Sequence, residues 1–302
     1  MDRFQSLQLF NRIVELGSFT AAAEILDLPR ATATHAIKQL ESRLGVRLLD
    51  RTTRQVRPTP DGQAFYERSK RILADLEDAE LSLSTRMDNP TGTLRLDVHG
   101  VHATMIILPR FAEFRARYPN IDVVLSSGDR LVDLVREGID CVIRAGQPRD
   151  SSLAIRKLAE LPEIICASPE YLERYGAPEH PRELAQHAGV GFFSRGNDSR
   201  YPFSVVLDGE VQTFQARGWM SVSDAECYTS AALAGCGLIQ APQFRLEAYI
   251  KAGRLVQVLP QWQCPAIPVS ALYPSHHQQS PRVRVFIDWV RELYAERFDN
   301  VS

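Results

Sequence analysis

Residues 18–62 constrain the fold of this chain more than any other segment. They follow a stretch in which apolar side chains recur at spacings of three and four residues: Phe4, Leu7, Phe10 and Val14. That spacing predicts an amphipathic helix over residues 2–16. Ser18 is a suitable N-cap for a second helix, and Pro29 fits the first position of a third. We therefore predict three short helices joined by tight turns, with Gly45 ending the third.

The third predicted helix has two chemically different faces. Its inner face repeats apolar residues in a 4-3-4 rhythm: Ala33, Ile37, Leu40 and Leu44. Its outer face carries small and polar residues: Arg30, Ala31, Thr34, His35 and Lys38. Thr34 and His35 can hydrogen-bond base edges, and the methyl group of Ala31 can contact thymine. Arg30 can reach guanine or phosphate, so the outer face suits the floor of a DNA major groove.

A local excess of positive charge accompanies this face. Residues 30–57 contain seven Lys or Arg side chains against two acidic ones, a net charge of +5, whereas the whole chain carries −2. Contact with phosphates requires such an excess, and a near-neutral total does not oppose it. A solvated face on an ordinary helical hairpin is the alternative, because charge runs are usually just solvated. The order of helix, turn, helix and basic wing favours DNA contact.

On these residues the sequence resembles the LysR-type transcriptional regulators. The matching positions are Phe10, residues 17–23, Leu26, residues 37–41, Leu44, Gly45, Leu48, Leu49, Arg51, Arg54, Thr59 and Gly62. The resemblance implies an N-terminal all-α winged helix-turn-helix and a C-terminal α/β two-lobed effector domain similar in fold to periplasmic binding proteins. The implied boundaries are 1–59 for the winged domain, 60–88 for a linker and dimerisation helix, 89–92 for a hinge, and 93–302 for the effector domain, with lobe I at 93–162 and 267–302 and lobe II at 163–266.

The resemblance gives the outer face of the third helix the base-reading role. It also places Arg54 where the wing inserts an arginine into the minor groove. The candidate DNA contacts are Ser18, Thr20, Arg30, Ala31, Thr32, Thr34, His35, Lys38, Arg51, Thr53 and Arg54. Two residues depart from the family pattern: Pro29 replaces the more usual serine cap, and His35 stands where arginine is common. The operator sequence is therefore not transferable from better-known relatives.

A long helix is predicted over residues 60–87, with Thr59 as its N-cap. It carries an apolar stripe of near-heptad spacing: Phe65, Ile72, Leu76 and Leu83, widened by Ala64, Leu73 and Ala79. Such a stripe has to be buried. It either packs on its own winged domain or, as the resemblance favours, pairs with a second subunit. Two-fold pairing would read two half-sites, so we expect a homodimer and, from it, a homotetramer.

Beyond the hinge, strands and helices alternate, and the βαβαβ order of residues 93–145 predicts a parallel sheet with helices on its faces. Strands are predicted at 93–99, 121–126, 141–145, 164–167, 189–193, 204–207, 211–217, 219–222, 238–241, 255–258 and 267–272. Helices are predicted at 101–118, 131–137, 169–175, 225–234, 242–252 and 281–297.

A ligand of such a domain should bind between the lobes, outside the carboxyl ends of the parallel strands. The candidate effector contacts at these ends are His99, Gly100, Val101, His102, Ser127, Gly128, Arg144, Phe193, Ser194 and Asp224. Arg144 is the best single candidate, because a guanidinium group suits bidentate recognition of a carboxylate. The alternative is that Arg144 pairs with Asp140 or a neighbouring acid. A small carboxylate is the default expectation for the effector.

We expect no catalytic site, no metal and no cofactor. His99 and His102 lie three residues apart and His276 and His277 are adjacent, but no carboxylate or thiol spacing completes a metal site. The five cysteines form no CxxC pair: Cys141, Cys166, Cys227, Cys236 and Cys264. Buried free thiols are expected, as in a reducing cytoplasm.

Neither a signal peptide nor a long apolar run is present, which predicts a cytoplasmic protein that is nucleoid-associated when bound to DNA.

Two classes of function fit these patterns. In the favoured one, the chain is a sequence-specific DNA-binding regulator whose effector domain converts ligand occupancy into a changed dimer or tetramer geometry. In the other, residues 93–302 form an enzyme or a solute-binding module, and the winged segment serves only for assembly.

Overall fold

The chain divides into two compact units, Met1–Asp88 and Asn89–Ser302. The computed structural model describes residues 1–51, 56–83, 90–128, 134–147, 153–193, 200–275 and 280–298. Separate clusters of buried apolar side chains form the core of the first unit and the cores of the second. In these described ranges, no helix combines the length and the apolar character needed to cross a bilayer.

The first unit has three short helices, a two-stranded hairpin and a long helix. Its elements are α1 (Arg3–Leu16), α2 (Phe19–Ile25), α3 (Arg30–Leu44), β1 (Leu49–Arg51), β2 (Val56–Pro58) and α4 (Pro60–Leu83). The predicted caps are confirmed, since the Ser18 hydroxyl accepts a hydrogen bond from the Ala21 N–H at 3.2 Å. Gly17 and Gly45 end α1 and α3 with left-handed φ values of 60° and 73°. The winged helix-turn-helix fold follows from this order.

Pro29 takes a different position from the predicted one. It is the N-cap residue of α3, with an extended ψ of 135°, and Arg30 is the first helical residue. An N-cap has non-helical dihedral angles, which the fixed φ of proline allows. Proline offers no side-chain acceptor, so α3 begins without a side-chain cap hydrogen bond.

The core of the first unit is wider than the predicted stripe. Leu9 and Ile13 are fully buried, whereas Phe4, a member of the predicted apolar stripe, is 45% exposed. The reason is that α1 contacts α2, α3 and α4, and three neighbours cover more than one stripe of a helix. In α3 the prediction for Leu44 is also wrong: this last helical residue is 39% exposed, and Ala36 is buried instead.

The long helix α4 packs its first turns against its own domain. The rings of Phe65 and Phe10 lie 5.4 Å apart, and the buried Ser69 hydroxyl donates to the side-chain oxygen of Asn11 at 2.5 Å. Further along, Ile72 is 47% exposed. The self-packing alternative therefore holds for the start of α4, while the apolar stripe beyond it stays open at Ile72. Residues 84–87 of the predicted helix lie outside the described residues.

The second unit alternates strands and helices along the chain. Its strands are β3 (Gly92–Val98), β4 (Ile121–Ser127), β5 (Cys141–Ala145), β6 (Leu153–Leu161), β7 (Glu163–Ala167), β8 (Gly191–Phe192), β9 (Phe203–Leu207), β10 (Glu210–Phe214), β11 (Ser221–Val222), β12 (Ile239–Pro242), β13 (Val256–Val258) and β14 (Ile267–Pro274). Its α-helices are α5 (Gly100–His102), α6 (Phe111–Arg117), α7 (Leu134–Glu137), α8 (Pro169–Tyr175), α9 (Ala225–Leu233), α10 (Gln243–Lys251) and α11 (Pro281–Phe298).

These strands form two main sheets, and only part of the first is parallel. The first sheet has the order β4-β3-β5-β14-β6, in which β3 runs parallel to β4 and β5 but β14 runs antiparallel to β5 and β6. In the second sheet, β12 and β13 both flank β7 in antiparallel orientation. The predicted parallel sheet is confirmed for β3, β4 and β5, and β14 and β6 extend it in antiparallel orientation. Periodicity shows where a strand lies but not which strand it pairs with.

The helix predicted over 101–118 is interrupted. The structure has α5, a π-helical stretch at Ala103–Ile107, a 3-10 turn at Leu108–Arg110, and then α6. Pro109 lies in the 3-10 turn, where its missing N–H and its ring do not fit a continuous α-helix. The chain thus leaves β3 through one short helical turn, which places His99 and Gly100 at the carboxyl edge of the first sheet.

Gly62 provides a test of the packing in the first unit. A methyl group at this position would lie 1.9 Å from the carbonyl oxygen of Leu48. We expect Gly62→Ala to destabilise the Met1–Asp88 unit by about 1–3 kcal/mol or more, because one of the two backbones must move. Thermal and urea unfolding of the purified protein measure this change. Gln63→Ala, at the exposed neighbouring position, is the matched control, and equal stability of the two variants would contradict the packing.

Candidate nucleic-acid interface and ligand cleft

The outer face of α3 is an open concave surface. Five side chains line it: Arg30, Ala31, Thr34, His35 and Lys38. The opposite face of the helix is buried against the domain through Ala33, Ala36, Ile37 and Leu40. The structure thus brings together the five residues that the helical period predicts on one side. This surface carries cationic, hydroxyl and imidazole groups and one methyl group. Such groups contact phosphates and base edges in protein–DNA complexes.

The other candidate DNA contacts surround α3. Thr20 in α2 and Thr32 in α3 are exposed. Ser18 is half-buried; its oxygen caps α2, and its hydroxyl proton can still be donated to another group. Arg51 ends β1 and pairs with Val56 across the hairpin. Thr53 and Arg54 lie outside the described residues.

In the second unit, Arg144 has an acidic partner within the protein. Its guanidinium group forms an ion pair with the carboxylate of Asp97 and donates to the Asp97 carbonyl oxygen at 3.1 Å. The side chain of Asp97 is 2% exposed and that of Arg144 is 18% exposed. Ser126 also donates its hydroxyl to Asp97, at 2.5 Å. The alternative considered for Arg144, pairing with Asp140 or a neighbouring acid, is therefore present, and Asp97 is the neighbouring acid.

Asp97 is a neighbour of this candidate site that the sequence patterns did not identify. Asp140, the other acid considered for Arg144, accepts from the Arg95 N–H at 2.7 Å. The available signal was an aspartate within the apolar strand β3, between residues whose side chains are fully buried. A carboxylate in such a place requires a cation or several donors. A buried aspartate therefore shows that a partner is needed. Which residue is the partner depends on which strands lie side by side.

Two candidate effector contacts are buried, and the expectation for them is corrected. Val101 and His102 are 2% and 1% exposed. The His102 Nδ1 atom lies 2.6 Å from the Tyr294 hydroxyl, and the His102 ring packs 5.7 Å from the ring of Phe244. Burial lowers the pKa of His102 well below its usual value, so the ring is neutral at neutral pH. Both side chains are therefore buried within the second unit and do not reach solvent at the edge of the sheet.

His99 and Gly100 lie closer to solvent at the same edge. Both are half-buried, and a methyl group at Gly100 would meet no atom within 4 Å. At the ends of β4 and β8, Ser127 is exposed, and Gly128 and Phe193 are half-buried. Ser194 lies outside the described residues.

Asp224 occupies the amino end of α9. Its carboxylate accepts a hydrogen bond from the Cys227 N–H at 2.9 Å. This bond holds the pKa of the Asp224 carboxyl group below its ordinary range, and the charge of His99 adds to the effect. The amino end of a helix favours an anion, and at α9 this place is already occupied by a carboxylate of the protein.

The cysteines and histidines form no further site in the described ranges. Cys141, Cys166 and Cys264 are buried free thiols, whereas Cys236 is half-buried and Cys227 is exposed. Burial raises the pKa of Cys166 and of Cys264 to about 12, which keeps both thiols protonated. Among the residues described, no three His, Cys, Asp or Glu side chains are grouped to hold a metal ion. His276 and His277 lie outside them.

The ion pair of Arg144 with Asp97 gives a prediction about stability. We expect Arg144→Ala to destabilise the protein by about 3–5 kcal/mol, because it leaves a buried carboxylate without its cation. Arg156→Ala is the matched control: it removes a pair with Asp288 at 2.8 Å whose side chains are 34% and 38% exposed. Such pairs contribute about 1 kcal/mol or less. Urea unfolding separates the two cases, and a loss for Arg144→Ala no larger than for the control would contradict the buried pair.

Comparison with known protein families matches both units. Residues 4–63 match the model for the bacterial regulatory helix-turn-helix protein, lysR family, and residues 87–295 match the model for the LysR substrate binding domain. These two matches cover both sites described above.

Individual relatives match over nearly their whole length. The uncharacterized HTH-type transcriptional regulator YhjC of Escherichia coli is 37% identical over 99% of this chain and 100% of its own. An HTH-type transcriptional repressor of Pseudomonas aeruginosa is 39% identical over 98% of this chain and 93% of its own. The solved structure of CrgA, a LysR-type regulator from Neisseria meningitidis, has a TM-score of 0.58 and 32% identity, covering 95% of this chain and 97% of that one. These relatives are regulators and not enzymes, and the chain belongs to the LysR family of DNA-binding, effector-responsive transcriptional regulators.

Proposed function

We propose that this regulator reads its operator through the outer face of α3. The observation that carries the proposal is the open surface lined by Arg30, Ala31, Thr34, His35 and Lys38. In this proposal Thr34 and His35 hydrogen-bond base edges, and Ala31 contacts a thymine methyl group. Arg30 and Lys38 supply positive charge for guanine or phosphate. The remaining proposed contacts flank this face: Ser18, Thr20 and Thr32 on the helices, and Arg51, Thr53 and Arg54 from the wing.

We propose further that two copies of the protein bind DNA together through their α4 helices. The support is the exposed Ile72, which continues the apolar stripe past the turns of α4 that pack on the protein's own domain. One recognition helix contacts few base pairs, whereas a two-fold pair reads two half-sites. Members of this family form oligomers, and we propose a homodimer that assembles into a homotetramer. Because the proposed target is DNA, we propose that the protein acts in the cytoplasm, on the nucleoid.

For the effector, we propose a small molecule bound in residues 93–302, at the carboxyl ends of the strands of lobes I and II. The supporting residues are those that reach solvent at these ends: His99, Gly100, Ser127, Gly128, Phe193 and Asp224. Arg144 belongs to the same edge but is paired with Asp97. A carboxylate effector would have to share the Arg144 guanidinium with Asp97. Comparing charged and neutral ligands therefore tests whether the effector is a carboxylate.

The reading face can be tested by selecting DNA sites from a randomised library with the native protein. We expect Thr34→Ala and His35→Ala to change the selected bases within each half-site, with each substitution costing about 1–3 kcal/mol against the preferred base. Lys38→Ala should weaken binding to all DNA sequences alike and reduce the salt dependence of binding. Ser42→Ala, an exposed α3 residue outside this surface, is the control. Unchanged base preference in both the Thr34 and His35 variants would remove these residues from the readout.

The effector cleft can be tested by thermal unfolding with a panel of small carboxylates and their matched amides. We expect a carboxylate at one hundred times its Kd to stabilise the protein by about 2.7 kcal/mol, and its amide to do so less. Asp224→Asn should strengthen carboxylate binding by removing a like charge, whereas Glu226→Gln on the exposed side of α9 should leave it unchanged. Equal stabilisation by acid and amide would exclude the carboxylate class. An Asp224 variant that behaves as the control would place the ligand elsewhere.

A further inference from the structure

One carboxylate joins α3 to the wing. Glu41 lies near the end of α3, and a single oxygen of its side chain accepts hydrogen bonds from the Leu48 N–H at 2.8 Å and the Leu49 N–H at 3.1 Å. Leu49 is the first residue of β1, and the hairpin of β1 and β2 is the wing of this domain. The reading helix and the wing are thus connected by two charge-assisted hydrogen bonds to one atom.

The same stretch of backbone is held from its other side by the start of α4. The Leu48 carbonyl oxygen accepts from the Thr59 N–H at 2.9 Å, and the Thr59 hydroxyl donates to the Arg47 carbonyl oxygen at 2.7 Å. That hydroxyl also accepts from the Gly62 N–H at 2.9 Å. The side chains of Leu48 and Leu49 are 1% and 3% exposed. Residues 47–49 therefore have little freedom, and Glu41 is the side chain that fixes them to α3.

We propose that Glu41 is a positioning residue for DNA binding. Its carboxylate sets where the wing lies relative to the outer face of α3, and it does so without touching DNA. The inference rests on the wing contact proposed above. It predicts an effect with a distinctive sign, because Glu41 is one of two acidic residues in a segment of net charge +5. Removing a negative charge there should by itself tighten binding to phosphates.

Three substitutions separate position from charge. Glu41→Gln removes the charge but keeps an acceptor oxygen at the same reach. Glu41→Asp keeps the charge but is one methylene too short to reach both amides. Glu41→Ala removes both. The inference predicts that the Glu41→Gln variant binds the selected operator within about threefold of native or tighter. The Glu41→Asp and Glu41→Ala variants should bind about tenfold to a hundredfold more weakly, as expected for two backbone donors left without an acceptor in reach.

Charge alone predicts a different result for two of the variants: Glu41→Ala should bind tighter than native, as Glu41→Gln does, and Glu41→Asp should bind like native. Glu24→Gln and Glu24→Ala, at an exposed position of α2, are the matched controls for the change in charge. Native affinity in the Asp variant, or an Ala variant that binds as the Glu24 control does, would overturn the inference. If the Ala variant does not fold, the comparison of the Asp variant with the native protein still decides.

A second measurement separates positioning from a smaller amount of folded protein. A smaller folded fraction weakens binding without altering its salt dependence, whereas a misplaced wing neutralises fewer phosphates. We expect the slope of log K against log salt to fall by about 0.9 for each phosphate that the Asp variant no longer neutralises. Base preference within the half-sites should stay native, and hydroxyl-radical protection of the flanking minor groove should decrease. Weak binding with a native slope and native flanking protection would count against Glu41.

Arg54→Ala distinguishes failure of this inference from failure of the proposed wing contact. If Arg54→Ala binds with native affinity and native flanking protection, the wing does not contact the operator. If Arg54→Ala loses flanking protection while Glu41→Asp retains it, the wing contact stands and the role of Glu41 is wrong.

Discussion

Close packing of α2 and α3 through small side chains is the constraint on which the DNA-binding unit depends. Ala22 and Ala23 of α2 and Ala33 and Ala36 of α3 are each 4% exposed or less and belong to one core cluster. Side chains this small allow two helices to cross at short distance. In this packing α3 is buried along one side only. Its outer face is then turned to solvent in one fixed orientation. A larger side chain at Ala33 would move the whole reading surface, including residues it does not touch.

This constraint also explains which parts of the structure were predictable from sequence. The two faces of α3 follow from a local period, and the caps at Ser18 and Gly17 follow from single residues next to the helix ends. The partner of Arg144 does not follow from any local pattern. Asp97 lies 47 positions away along the chain, and it meets Arg144 because β3 and β5 are neighbours in a sheet whose order the sequence pattern does not specify. Exposure of Phe4 was not predictable for a similar reason, since it depends on which helices cover α1.

The two functional regions differ in how their charges are balanced. In the segment from Arg30 to Arg57 the basic residues outnumber the acidic ones by five, and a polyanion can neutralise that excess. At the edge of the first sheet, Arg144 is paired with Asp97, and Asp224 accepts a backbone hydrogen bond at the start of α9. Binding at the first region should therefore depend strongly on salt. Binding at the second should depend more on shape and hydrogen bonds, because Arg144 and Asp224 already have partners within the protein.

The first turn of α4 connects the reading surface to the long helix. Thr59 and Gly62 bond to or touch the backbone at 47–48, and the same backbone is bound by Glu41 of α3. Phe65 and Ser69, one and two turns further along, pack on α1. A rotation of α4 would break these contacts or carry the wing with it. The direction of α4 and the position of the wing are therefore coupled. A change in the proposed pairing of two α4 helices would act on the residues that hold the wing to α3.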